Sequence, residues 1–221
     1  MTSRRMFPFH KQIKPRCKEL FKNSKWHKMS TWQKVGGTGN GAGDSGNENG
    51  GSESVVTKDD YLGTWTGTWG SDPVSITLNT DGSCVAYCEV FAGKDSTWTF
   101  TNPGVTVTIP EVGSFSGRLD NGKLVGQDIS LTKVNTSAYV GTWTGTMGSD
   151  QVSITLDANG TVYAEDSTQG ETTGLWTVTN SGFIMWLDMD GNFPEEGVSG
   201  NLQNGNLVVN YMGQNISLTK E

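Results

Sequence analysis

Histidine is nearly absent: the chain has two in 221 residues, His10 and His27, both near its start. The rest of the sequence therefore has no imidazole to complete a Ser-His-Asp triad or ligate a metal. Most of its carboxylates fall in turns, where solvation leaves them with ordinary acidity. The expectation is a protein that is not an enzyme and has no cofactor and no metal. Cysteine is scarce as well. Cys17, Cys84 and Cys88 make no disulfide framework, since small scaffolds that depend on bridges carry dense, even sets. Cys84 and Cys88 would lie on one face of a strand about 13 Å apart, too far to bridge, and read as small apolar core residues. Hydrophobic residues make up only 33%, enough for two modest cores but not one large one. Long apolar runs are also missing, so no membrane-spanning helix is expected.

Acidic residues are almost missing from the first 34 positions, which hold ten Lys or Arg against Glu19 alone, a formal +9. The remainder then carries six basic and 22 acidic residues, −16, out of a total of −7. An acidic body repels phosphates, so nucleic acid is not an expected partner. Residues 1–35 read as a poorly ordered basic head with one short helical candidate, Arg16 to Asn23, after Pro15. Ser3-Arg4-Arg5-Met6-Phe7 has the look of a twin-arginine export motif. The apolar core that should follow is replaced by the charged, interrupted stretch Phe9 to Pro15, so no signal peptide is recognisable in the chain as written. Residues 36–58 form a Gly/Asn/Ser-rich linker, GGTGNGAGDSGNENGGSES over most of its length, with little to bury.

The rest is written twice. Tyr61-Leu62-Gly63-Thr64-Trp65-Thr66-Gly67-Thr68 returns as Tyr139-Val140-Gly141-Thr142-Trp143-Thr144-Gly145-Thr146, and VSITL at Val74 to Leu78 returns at Val152 to Leu156. Ser116-Gly117 and Asn121-Gly122 meet Ser199-Gly200 and Asn204-Gly205, and Ile129 to Lys133 meets Ile216 to Lys220. Repeats of this length are tandem domains, expected at residues 59–135 and 138–221. Within copy one the period is that of strands, near 63–69, 74–79, 83–90, 96–101, 104–109, 114–119, 123–126 and 128–133, with Gly, Pro, Asn and Asp in every connector and no helix. Closing such a meander into an eight-stranded antiparallel up-and-down barrel removes its edges. The fold class expected is all-β, with two tandem small barrels. Trp65, Val74, Ile76, Leu78, Trp98, Phe100, Val105, Val107, Ile109, Phe115, Leu119, Leu124, Ile129 and Leu131 should point inward and fill barrel 1. Thr64, Thr66, Ser75, Thr77, Thr97, Thr99, Thr106 and Thr108 should face water.

Gly63-Thr64-Trp65 and Gly141-Thr142-Trp143, each opening an eight-strand meander, resemble the G-x-W signature on the first strand of lipocalins and their calycin relatives. The module as a whole is similar to the small lipocalin-like domains of bacterial envelope and secreted proteins. The resemblance implies that Trp65 and Trp143 pack across the closed base of each barrel. The family's Arg that stacks on this Trp has its nearest counterparts here in Lys133 and Lys220. It also implies an extracellular or cell-envelope location and a binding role.

Copy two is longer in two places, Asp188 to Glu196 and Val209 to Gly213. Both insertions fall in hairpins at the same end of the meander, where they bring Trp186, Met189, Phe193, Tyr211 and Met212 to the rim as candidate ligand-binding residues. The expected function is non-catalytic binding of a small apolar molecule, or of a protein or glycan surface, by a monomer. The alternative is an adhesion or interaction module with solid barrels. Asp188 to Glu196 also has oxygen ligands at alternate positions, as calcium favours, but its spacing misses the calcium loop and an ordinary Asp-Gly hairpin is the simpler reading.

Overall fold

The computed structural model describes residues 55–88, 91–110, 113–126, 128–168, 170–188, 197–211 and 213–221; for residues 91–95 it describes the backbone. The basic head, and the linker as far as Ser54, lie outside the described residues. Both barrels belong to one compact unit, Val56–Glu221.

Barrel 1 runs β1 (Gly63–Trp69), β2 (Asp72–Leu78), β3 (Ser83–Cys88), β4 (Phe91–Phe100), β5 (Gly104–Ile109), β6 (Gly113–Asp120), β7 (Lys123–Gly126) and β8 (Ile129–Val134). Each strand pairs antiparallel with the next, and β8 closes on β1 through pairs such as Leu131 with Gly67. Barrel 2 repeats this as β9 (Gly141–Met147), β10 (Asp150–Leu156), β11 (Thr161–Asp166), β12 (Gly170–Thr179), β13 (Gly182–Leu187), β14 (Val198–Gln203), β15 (Asn206–Tyr211) and β16 (Gln214–Lys220), with β16 closing on β9. Alternation of large apolar with Thr and Ser residues forces this result, because a strand sends successive side chains to opposite faces and one face must find a dry interior. The inward set expected for barrel 1 is its core, with Phe100 and Leu119 partly buried at its margin.

The expectation of no helix needs one amendment. Lys58–Tyr61 forms a 3-10 turn across the base of barrel 1, so the last residues assigned to the linker, Val56 to Lys58, already belong to the fold. Asp60 fastens this turn by accepting from the Thr57 amide at 2.7 Å and the Thr57 hydroxyl at 2.9 Å. Tyr61 is thereby carried under the barrel, 0% exposed, where its hydroxyl donates to the Pro103 carbonyl at 2.5 Å and accepts from the Leu119 amide at 3.2 Å. Gly63 and Gly141 follow with φ of +105° and +130°, so the chain can swing from this cap into the first strand only where there is no Cβ.

The expectation that every outward Thr and Ser faces water is overturned in part. Thr64, Ser75 and Thr77 are buried. Alternation correctly turns them out of barrel 1, but the outer wall of β1, β2 and β3 is covered by the outer wall of β12 and β13. Ser75 hydrogen-bonds Thr177 at 2.7 Å, the Asn79 amide donates to the Asn159 carbonyl at 2.9 Å, and the Tyr87 and Trp186 rings lie 5.1 Å apart.

This interface is heterologous: barrel 1 uses its first three strands and barrel 2 its fourth and fifth. The copies have diverged to suit it. Barrel 2 has Leu175, Ile184 and Trp186 on the docked wall where barrel 1 has Thr97, Thr106 and Thr108. Barrel 1 has buried Val85 at the position where barrel 2 has Tyr163, which is 49% exposed.

Candidate functional site

The base of each barrel is sealed. The Trp65 indole donates to the Tyr61 carbonyl at 2.7 Å and the Trp98 indole to the Asn79 carbonyl at 2.7 Å; Trp143 and Trp176 repeat this on Tyr139 and Asp157 at 2.7 and 2.8 Å. Lys133 is the cross-strand partner of Trp65, and its ammonium lies 5.4 Å from the ring centre while donating to the Asp60 carbonyl at 3.2 Å. Lys220 stands 5.3 Å from the Trp143 ring in the same way. Each lysine thus combines a cation–π contact with a clamp on the capping segment. These ends are built to hold the barrels shut.

The opposite ends, where the β1–β2, β3–β4, β5–β6 and β7–β8 hairpins gather, differ between the copies. In barrel 1 Trp69 and Phe115 meet edge-on, ring centres 5.5 Å apart, over buried Val74, Ile109 and Ile129. Barrel 2 has Met147 at the register of Trp69, each paired with the Asp that opens the next strand. Val198 stands at the register of Phe115, paired with Met185 as Phe115 is with Val107. With both rings gone, Val152 and Leu187 are only half-buried where their counterparts Val74 and Ile109 are buried. Asp150 and Asp166 also take inward register at this mouth, opposite Met147 and Val152.

Of the rim residues singled out from the sequence, Tyr211 is at this mouth: it ends β15, half-buried against the barrel 2 core. Trp186 is not at the mouth. It lies between inward Met185 and Leu187 on β13, so its ring points out of the barrel, where the docked wall and Tyr87 leave it 2% exposed. Met189, Phe193 and Met212 lie outside the described residues, as do residues 189–196 of the calcium candidate. Among the described residues no three His, Cys, Asp or Glu side chains come together as a metal site would require. Cys84 and Cys88 are unbridged. Burial inside barrel 1 pushes the Cys84 thiol up to about 12, with the Ser96 hydroxyl pulling weakly the other way.

Sequence reasoning missed a second concavity. A groove of about 420 Å³ lies on the outer wall of barrel 2, over β13 to β16, with Pro73 and Tyr87 of barrel 1 as its far side. Both barrels contribute to its lining. The signal for it was present in the repeat, in outward positions where the copies disagree. Comparison with known proteins gives no match, whether with family models, curated proteins or solved structures.

Proposed function

We propose that this is a non-catalytic binding protein whose second barrel admits a small apolar molecule through its hairpin end, while the first barrel is solid and serves as its support. The observation that carries this reading is the replacement of the Trp69–Phe115 plug by Met147 and Val198 over half-buried Val152 and Leu187. Met147 and Val198 are smaller than the rings they replace, Met185, Val209 and Tyr211 take up part of the space, and apart from Asp150 and Asp166 these lining side chains are apolar, as small-molecule sites require. The lipocalin-like reading is supported by the closed eight-strand barrel and by the lysine held over each G-x-W tryptophan. An extracellular or envelope setting goes with that resemblance.

The ligand proposed is uncharged or cationic, because Asp150 and Asp166 at the mouth oppose a carboxylate head. Titration of the full chain with the neutral probe N-phenyl-1-naphthylamine, and with dodecanol against dodecanoate, tests this. Saturable one-to-one binding, with the alcohol about tenfold tighter than the acid, supports the reading. No saturable response from any of the three removes it and leaves the alternative, an interaction module with two solid barrels.

A further inference from the structure

The groove between the barrels is a different surface from the barrel 2 mouth, and its chemistry is different. Its described lining has no lysine, arginine, aspartate or glutamate. Its polar side is made chiefly of carboxamides, with Asn201, Gln203, Asn210 and Asn215 projecting from β14, β15 and β16 beside apolar Ile184 and Val208. Two pairs hold one another in place, with the Gln203 amide donating to Asn201 at 3.0 Å and the Asn210 amide to Asn215 at 3.0 Å. A carboxamide carries two donor hydrogens and two acceptor lone pairs, so each pair retains both kinds of group for a ligand.

The same wall of barrel 1 is charged. Asn201 stands where barrel 1 has Arg118, Gln203 where it has Asp120, and Asn215 where it has Asp128. Three ionic side chains have become neutral amides on one face, in the copy whose face borders the other barrel at Pro73 and Tyr87. A general need for solubility would keep the charges. A site for a neutral ligand rich in hydroxyls would lose them, because an ion left facing an uncharged ligand in a groove gives up hydration without gaining a counter-charge. Hydroxyls match amide donors and acceptors, and the Tyr87 ring on the far side offers an aromatic surface to the apolar face of a sugar ring. The volume is at the lower end of the roughly 300–1,000 Å³ usual for small-ligand sites, on the order of one or two pyranose rings.

We infer that the inter-barrel groove is a binding site for a neutral saccharide, held by the Asn201–Gln203 and Asn210–Asn215 amide pairs and by the Tyr87 ring. The site draws on both barrels, the amide pairs coming from barrel 2 and the Tyr87 ring from barrel 1.

The test is an array of neutral and acidic oligosaccharides probed with the full chain, followed by calorimetric titration of the glycans retained. The triple variant Asn201→Arg, Gln203→Asp, Asn215→Asp restores the side chains barrel 1 carries on its own wall, and the single variants Gln203→Asp and Tyr87→Ala serve should the triple fail to fold. The inference expects at least one neutral oligosaccharide to bind, about tenfold or more weaker in the triple variant and in Tyr87→Ala, with N-phenyl-1-naphthylamine binding at the barrel 2 mouth unchanged. It is overturned if no neutral glycan is retained, if only acidic glycans are, or if binding is indifferent to these substitutions.

Discussion

Ser75 and Thr177, 102 residues apart in sequence, share a 2.7 Å hydrogen bond in a place where neither touches water. Each lies on the outer wall of its own barrel, so the bond exists only because the barrels are docked. Thr177→Ala should leave the Ser75 hydroxyl buried without its partner and cost about 1–3 kcal/mol. Adding Ser75→Ala should restore part of that loss. Urea denaturation of the two single variants and the double variant measures the coupling, and strictly additive losses would contradict the contact.

Gly160 tests the same interface from the backbone. It has φ of +88°, and a Cβ there would stand 2.8 Å from Val85 Cγ2 across the interface. Its counterpart Gly82 has φ of +89° but meets only the Trp98 carbonyl at 3.5 Å within its own barrel. Gly160→Ala and Gly82→Ala should share the cost of a left-handed residue, with Gly160→Ala worse by a further ~1 kcal/mol for the collision. Equal losses in thermal melts would mean the barrels do not press together at this point.

Much of this architecture was legible in the sequence, because a period of two is a strong signal where one face must be dry. It placed Trp65, Ile76, Trp98 and Leu131 inside barrel 1, where they are. Tyr61 went unnoticed as a core residue because it sits in a turn ahead of the first strand, where no alternation exists to assign it a face. Thr64, Ser75 and Thr77 were read as wet because parity says only that a side chain leaves its own barrel, not what covers it afterwards. Trp186 was drawn to the rim by its nearness to an inserted loop, although Met185 and Leu187 on either side already required it to point outward. The outward mismatches between copies, Thr97 with Leu175 and Thr108 with Trp186, were the readable trace of the docked wall.

Barrel 1 holds a polar defect. The Ser96 hydroxyl is buried against the Cys84 thiol on the facing strand, a weak hydrogen-bonding group, and makes no bond to an oxygen or nitrogen among the described residues. Ser96→Ala should therefore be neutral or stabilising by up to about 1 kcal/mol, the reverse of most buried substitutions. Cys84, with its thiol pushed up to about 12, should resist alkylation at neutral pH and react only on unfolding. Labelling of Cys84 in the native protein, followed by mass spectrometry, would contradict its placement.

Acid should reach the two bases unequally. Asp81 accepts from the Ser83 hydroxyl at 2.7 Å and its amide at 2.9 Å, and these bonds hold its carboxyl below the ordinary value of 3.8. The bonds to Thr57 do the same for Asp60. A depressed carboxylate lends stability above its unfolded value, and that stability fades as pH falls through the lower, folded value. Barrel 2 has Asn159 in place of Asp81, accepting from the Thr161 amide at 2.9 Å, and an amide does not titrate. The Ser83 amide resonance should therefore shift with a midpoint below 3.8, and Asn159→Asp should confer the same titration on Thr161. A Ser83 midpoint above that value would contradict the assigned bonds.

The difference between a plugged and an unplugged barrel is tested most directly by moving the plug. Met147→Trp with Val198→Phe places in barrel 2, on the same register, the pair that meets edge-on at 5.5 Å in barrel 1. Titrating N-phenyl-1-naphthylamine into the full chain and this variant should show one saturable site in the first and its loss, or weakening by at least about tenfold, in the second, with the fold intact by circular dichroism. Undiminished binding in a folded variant would place the ligand elsewhere and refute the barrel 2 mouth as the site.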